Sequence, residues 1–185
     1  MANDVEGLVS ELQQIAADVR SKFGTLSAAQ LNWKPAPEKW SVAQCLDHLI
    51  KSNEMFYGEI DQIAAGTRRN SLWEKWSPFT GFFGRLLVSS LEKDSRKAKA
   101  VAAASPPSEL DGGIVGRFIE HQTEASAKIR STEKADWQRT IMTSPFLSLF
   151  TYRLADAYQI MIVHEKRHVR QAERVLKTDG FPVQI

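Results

Sequence analysis

Apolar residues recur at the spacing of an α-helix along most of this chain, and no segment shows the sustained apolar–polar alternation of a strand. The first helical segment is the clearest, because its apolar residues return every three or four positions and form a single stripe. Such a stripe is stable only when it is buried against other elements. We therefore predict an all-α fold of several packed helices. The stripe of the first helix consists of Val5, Leu8, Val9, Leu12, Ile15, Ala16, Val19 and Phe23.

Three further segments extend this pattern to four main helices. Ser41 followed by Gln44 is a capping box that predicts the start of the second helix, and Asn3 with Glu6 indicates the same for the first. The long segment 67–110 separates the second helix from the third, which indicates a crossover over the end of a bundle rather than a tight hairpin. The predicted limits are Ser41 to about Ala65 for the second helix, about 114–131 for the third and about 148–177 for the fourth, with a shorter helical piece from Arg85 to about Arg96 inside the crossover.

The composition favours a cytoplasmic enzyme or binding protein. A length of 185 residues fits one domain, residues 1–185, with a substantial core. The formal net charge of +2 gives no electrostatic case for nucleic acid or an anionic membrane as a partner. No stretch is long and apolar enough to cross a bilayer, and Met1 to Ser10 lacks the basic region of a secretory signal. The single cysteine, Cys45, excludes an intramolecular disulfide and is typical of a reducing compartment.

The fourth helix contains the string His164-Glu165-Lys166-Arg167-His168, which places two histidines one helical turn apart. Positions i and i+4 differ by about 40° around a helix axis, so both imidazoles lie on one face. Ala157, Ile160 and Met161 fall near His164 on that face, which we therefore predict to be the inward one. Buried imidazoles need partners, and one divalent metal would satisfy both. Two core histidines with separate hydrogen bonds are the alternative.

The same string matches HExxH, the signature of metalloproteases. A protease of this type needs a third ligand, usually downstream, yet the seventeen residues after His168 contain no histidine. Glu173 could replace it but lies too close along the helix to reach across a site. Glu165 falls at about 100° from His164, off the predicted inward face, where we expect a surface residue or a neighbour of the ligands. The protease is kept as a minor alternative.

A third metal ligand must come from another helix, and the chain has two further histidines. His48 lies about 100° from the middle of the apolar stripe of the second helix, at a helix–helix boundary where a ligand would line an open pocket. His121 stands between Glu120 and Gln122 in a polar patch, and we interpret it as a surface histidine. The pattern favours His48.

Two segments of the chain resemble the DinB-like superfamily of metal-dependent proteins. The string LNWKPAPEKWSVAQCLDHL, residues 31–49, is similar to the start of its second helix, and HEKRHVRQ, residues 164–171, resembles its C-terminal metal helix. The likeness is specific over residues 26–56 and 145–177 and looser elsewhere. It implies an up-down-down-up four-helix bundle with a long link between the second and third helices. The aromatic segment 72–83 departs from the shorter middle of many relatives.

By matching position, the resemblance implies that His48, His164 and His168 are metal ligands. All-imidazole ligation suits zinc or nickel, and three ligands leave one position open. Because relatives include bacterial thiol-dependent transferases, the implied activity is transfer of a low-molecular-weight thiol to a small-molecule substrate, or hydrolysis. No catalytic residue is assigned, and a non-catalytic metal- or ligand-binding bundle is the alternative. We interpret Cys45 as a buried apolar residue. Segment 72–83 has three interpretations: a lid, a homodimer surface, or ordinary packing.

Overall fold

The computed structural model describes residues 4–77, 80–93 and 102–182 of the chain. Seven helices and one short hairpin occur in these ranges, and four of the helices are the long ones that the apolar pattern predicts. Among the described helices, none combines the length and the apolar character that crossing a bilayer requires. The elements are α1 (Val5–Phe23), α2 (Ala28–Asn32), α3 (Val42–Ala64), α4 (Leu72–Trp76), α5 (Thr80–Glu92), a 3₁₀ turn (Ala102–Ala104), α6 (Ile114–Ser131), β1 (Ile141–Thr143), β2 (Thr151–Arg153) and α7 (Leu154–Leu176).

Ion pairs between the four long helices show their relative directions. One pair joins the start of α1 to the end of α6, so these helices are antiparallel. A second pair joins the ends of α1 and α7, and a third joins the ends of α3 and α6, so each of these two couples is parallel. The predicted up-down-down-up bundle, with its long link between α3 and α6, is confirmed. The three pairs are Glu6–Arg130, Lys22–Glu173 and Asp61–Lys128.

The crossover between α3 and α6 is itself partly helical. Its longest piece, α5, begins at Thr80, five residues before the predicted helical segment, and the predicted end near Arg96 lies outside the described residues. The helix lies close against α7, because a Cβ atom at Gly84 would come within 2.5 Å of the Asp156 carboxyl group. A larger residue at this position would force the Asp156 side chain to move.

The prediction that the chain has no strand was wrong. β1 and β2 pair in antiparallel fashion, with Met142 opposite Tyr152, and both of these side chains are fully buried. Strands of three residues are too short for an alternating pattern to be seen in the sequence. The hairpin also takes up the start of the predicted fourth helix, so α7 begins at Leu154 rather than near Ser148.

Caps were predicted at the starts of α1 and α3, and the structure confirms the one at α3. The capping box of α3 is confirmed, since the Ser41 hydroxyl accepts from the Gln44 amide and the Gln44 side chain accepts from the Ser41 amide. At α1 the cap is Asp4, whose carboxylate accepts a hydrogen bond from the Gly7 amide. The predicted cap, Asn3, lies outside the described residues.

The buried apolar residues form two clusters, one towards each end of the bundle. Along α7 the first cluster ends at Ile162 and the second resumes at Val169. Along α3 the break falls between Leu49 and Phe56. A layer of polar side chains fills this gap, and every candidate ligand lies in it or at its border.

Candidate metal centre

Three histidines converge at the border of the polar layer. His48 comes from α3, whereas His164 and His168 come from α7. One ring nitrogen from each lies within 4.8 Å of the other two, and the Nε2 atoms of His48 and His164 are 3.3 Å apart. His48 is buried, while the other two are half-buried. The two α7 histidines therefore lie at the edge of the buried face rather than at its centre, and each of these residues keeps some exposed surface.

The crossover orients the His48 ring. Its Nδ1 atom lies 2.7 Å from the carbonyl oxygen of Ala104, in the 3₁₀ turn. A carbonyl oxygen only accepts, so Nδ1 carries the proton and Nε2 presents its lone pair to the other histidines. The Ser52 hydroxyl lies 3.5 Å from the same Nε2 atom. This arrangement selects the tautomer that a metal ligand needs.

Trp40 forms a wall of the cluster. Its ring lies nearly parallel to the His168 ring, with centroids 5.6 Å apart, and its centroid is 4.8 Å from that of His48. Trp40 precedes the cap of α3, so the segment that begins this helix also covers the site. Trp40 was not predicted to belong to the site, since an aromatic side chain in a proline-containing connection gives no sign of its partner.

Burial holds all three imidazoles in the neutral form. Desolvation lowers the pKa of His48, and it lowers the pKa of His164 well below the usual range, with the neighbouring rings of His168 and His48 adding to the effect. Desolvation, reinforced by His48, lowers the pKa of His168 to about 3. Neutral imidazole is the form that binds metal ions.

The cluster fits a divalent metal on three structural grounds. Ligands about 2.05 Å from a tetrahedral centre are about 3.3–3.4 Å from each other, which matches the His48–His164 separation. The Nδ1 atom of His168 is buried and makes no hydrogen bond within the part of the chain that the structure describes. The donor set consists of three imidazoles, which suits zinc and nickel.

Glu165 was predicted to be either a surface residue or a neighbour of the ligands. The first of these alternatives was wrong, because this residue is fully buried. Its Oε1 atom accepts hydrogen bonds from Asn53 Nδ2 at 2.6 Å and from Gln122 Nε2 at 3.0 Å. Desolvation raises the pKa of the Glu165 carboxyl group to about 7, although both hydrogen bonds oppose the shift. Glu165 follows His164 in the chain but belongs to the polar layer inside the bundle.

The interpretation of His121 as a surface residue was also wrong. It is 5% exposed, and its Nε2 atom lies 3.2 Å from the hydroxyl of Tyr57. Desolvation lowers the pKa of His121 to about 4. His121 is not a member of the three-histidine group. Its partner is an aromatic side chain on α3, a contact that a polar stretch of α6 does not reveal.

Cys45 is buried, as the sequence analysis expected. It has no exposed surface, and desolvation raises the pKa of its thiol to about 12. A thiol in this state is not a nucleophile near neutral pH.

The aromatic segment of the crossover packs against the loop of the hairpin. Trp73 Nε1 donates to the carbonyl oxygen of Leu149, and the Phe83 and Phe150 rings are stacked with centroids 4.4 Å apart. Trp76, in contrast, is 81% exposed. Ordinary packing accounts for part of this segment, and a homodimer surface stays a prediction for the exposed part.

The chain is thus a helical bundle with three clustered histidines on two facing helices, and the comparison with known sequences identifies its family. The sequence model of the DinB superfamily matches residues 11–172, which include all three histidines. This chain belongs to the DinB superfamily.

Two individual proteins are similar to the chain. The uncharacterized protein YuaE of Bacillus subtilis (strain 168) is 26% identical over 152 residues, which are 81% of this chain and 85% of YuaE. The solved structure of YfiT from Bacillus subtilis superimposes with a TM-score of 0.60 at 16% identity, over 98% of this chain and 92% of that one. YfiT is described as a probable metal-dependent hydrolase with an unusual four-helix bundle topology. At this identity the comparison supports the fold of the present chain.

Proposed function

We propose that this chain binds one divalent metal ion through His48, His164 and His168, and that it is a metal-dependent enzyme acting on a small molecule. The observation that carries the proposal is the convergence of three neutral ring nitrogens from two facing helices. A hydrogen bond between His48 and His164 accounts for the 3.3 Å separation by itself, but it does not account for the third ring nitrogen within 4.8 Å of both. The buried Nδ1 atom of His168, which makes no hydrogen bond within the described residues, adds support for a shared metal ion.

An open coordination position favours catalysis over a purely structural role. Structural zinc sites are closed by four protein ligands, whereas catalytic sites keep a position for water or substrate. Within the described residues, the metal-binding group contains three side chains, and two of them are half-buried. A divalent ion in such a site acts as a Lewis acid and lowers the pKa of a coordinated water or thiol.

We propose that the nucleophile comes from solution, and the thiol of the one cysteine is unavailable for this role. Cys45 is fully buried with a raised pKa. Water as the attacking group makes the protein a hydrolase, and a low-molecular-weight thiol makes it a transferase. Hydrolysis is our first choice, supported by the description of YfiT as a probable metal-dependent hydrolase.

The structure gives no support to the metalloprotease alternative. The glutamate of an HExxH protease serves as general base beside the metal. Here Glu165 is fully buried and its Oε1 atom is occupied by the amide groups of Asn53 and Gln122. It is therefore not placed to take a proton from a water at the open side of the cluster.

The proposal is tested by loading the untagged protein with zinc or nickel and assaying two reactions. One is hydrolysis of activated esters and amides, and the other is transfer of glutathione to an electrophilic aryl halide. Turnover by the wild type that is lost in His164→Ala and retained in His121→Ala supports the proposal, because the control removes a buried histidine outside the cluster. Metal binding without turnover in either assay would instead favour the non-catalytic bundle.

A further inference from the structure

Burial of the Glu165 carboxyl group costs folding free energy, and the proposed metal chemistry does not use this side chain. The side chain has no exposed surface, and its hydrogen-bond partners Asn53 and Gln122 are 1% and 2% exposed. Among the described residues, three oxygen atoms of this group have no hydrogen-bond partner: Glu165 Oε2, Asn53 Oδ1 and Gln122 Oε1. A buried polar group that lacks hydrogen bonds costs folding free energy, and apolar replacements of such groups are often neutral or stabilising. Stability alone therefore does not explain the network.

The network joins the two helices that carry the histidines. Asn53 lies on α3, five residues after His48, and Glu165 lies on α7, next to His164. The hydrogen bond of 2.6 Å from Asn53 to Glu165 thus connects the same pair of helices as the 3.3 Å contact between the histidines. Gln122 adds a third connection from α6, which carries none of the three ligands.

Directional contacts fix a register that apolar packing leaves loose. Burial of apolar surface is non-directional, whereas a hydrogen bond tolerates only a few tenths of an ångström. A slide of α7 by one residue is a shift of about 1.5 Å along the helix axis. Such a slide would break the Asn53–Glu165 bond and move His164 away from His48.

We propose that Glu165 is a positioning residue, which holds α7 in register on α3 through Asn53 and so sets the spacing of His48 against His164. The inference rests on the proposed metal site. The carboxylate Oε1 acts as the common acceptor, and the amide groups on α3 and α6 are the donors.

The test compares two replacements of Glu165 by their affinity for zinc and nickel, measured by competition with a chelator. Glu165→Met has a similar volume and no acceptor, so we expect metal affinity to fall by about 10- to 100-fold, the range for partners that orient ligands. Glu165→Gln keeps an oxygen acceptor and should bind metal within about threefold of the wild type. The d–d spectrum of the cobalt form should change in the Met variant and stay unchanged in the Gln variant, since it reports coordination geometry.

Two controls separate positioning from a general loss of stability. Tyr158 lies on α7 like Glu165, but in the apolar cluster away from the histidines. Tyr158→Phe removes its buried hydrogen bond of 2.7 Å to Thr132, the residue that follows α6. Its free energy of unfolding should fall while its metal affinity stays that of the wild type. Gln122→Met breaks the α6 connection alone and should weaken metal binding less than Glu165→Met.

Equal metal affinity in wild type and Glu165→Met would overturn the inference. Equal weakening by Glu165→Gln and Glu165→Met would overturn it as well, because the charge and not the hydrogen bond would then matter. If Glu165→Met does not fold, Asn53→Leu breaks the same connection from α3 and carries the same expectations. A wild type that binds neither metal refutes the metal site itself, and this result is seen before any variant is made.

Discussion

The Nε2 atoms of His48 and His164 lie 3.3 Å apart, although 116 positions of the chain separate the two residues. Two helices that run in opposite directions bring them together, and a carbonyl oxygen of the crossover selects the His48 tautomer. The equivalence of the two rings predicts that neither is dispensable for metal binding.

His48→Ala should therefore weaken metal binding as strongly as His164→Ala. We expect a loss of more than about 100-fold for each, since even the groups that only orient ligands contribute 10- to 100-fold. Isothermal titration with zinc measures both affinities. Wild-type affinity in His48→Ala would mean that the third ligand is not His48.

The stability of the fold should depend on pH through His121. Desolvation lowers the pKa of this imidazole from 6.5 to about 4. Between these two pH values the imidazole is therefore protonated in the unfolded chain and neutral in the native state. The contribution of neutral His121 to the free energy of unfolding is fully present above pH 6.5 and is lost as the pH falls towards 4. At pH 5 the free energy of unfolding is lower by about 2 kcal/mol. Tyr57 and Glu124 are the groups beside the ring, the carboxylate at 3.9 Å from Nδ1.

Urea unfolding at pH 7 and pH 5 checks this expectation in the wild type and in His121→Gln. The three clustered histidines also have a lowered pKa and affect both proteins alike, so the difference between the two proteins isolates His121. An identical loss of stability in both proteins would show that His121 does not titrate in this way.

Cys45 should be inert in the native protein. Its thiol is fully buried and its pKa is raised to about 12, so the thiolate fraction at neutral pH is negligible. A colorimetric disulfide reagent should modify the unfolded chain at least about 100-fold faster than the native protein. Cys45→Ala should retain metal binding and any turnover, and loss of turnover in this variant would identify the thiol as a participant.

Arg68 should anchor the crossover. Its side chain is 7% exposed and forms ion pairs with Glu59 and with Glu74, whose side chain is 4% exposed. Arg68→Met leaves a buried carboxylate without its cation, for which we expect a loss of about 3 kcal/mol in the free energy of unfolding. The control is Arg117→Met, whose pair with Asp111 is exposed and contributes little.

Thermal or urea unfolding of the two arginine variants makes the comparison. Equal stability of both variants would mean that the buried pair does not hold the crossover.

The long helices could be predicted because their signals are local. The capping box at Ser41 and the apolar spacing of α6 lie within one or two helical turns, and the observed limits Ile114–Ser131 match the predicted ones. The resemblance to the DinB-like superfamily supplied the directions of the helices and supported the choice of His48, which its position on the second helix already favoured. The hairpin was missed because three-residue strands carry too little pattern.

The orientation of α7 could not be predicted from a single stripe. This helix contacts α1, α3, α5 and β2, so its buried arc is wider than an amphipathic pattern indicates. Glu165 lies within that arc and the half-buried histidines lie at its edge. A polar residue at a buried position breaks the pattern on which the prediction depends, and only its partners on other helices explain it. The carbonyl of Ala104 and the Trp40 ring were likewise beyond any local signal.

In the proposed site His48, His164 and His168 together bind one metal ion, and elemental analysis measures this stoichiometry. Untagged protein is incubated with zinc or nickel, freed of unbound metal and measured for metal content per chain. We expect about one equivalent of metal in the wild type and in His121→Ala, and close to none in His164→Ala. A wild type that stays near zero after incubation with both metals would contradict the proposed site.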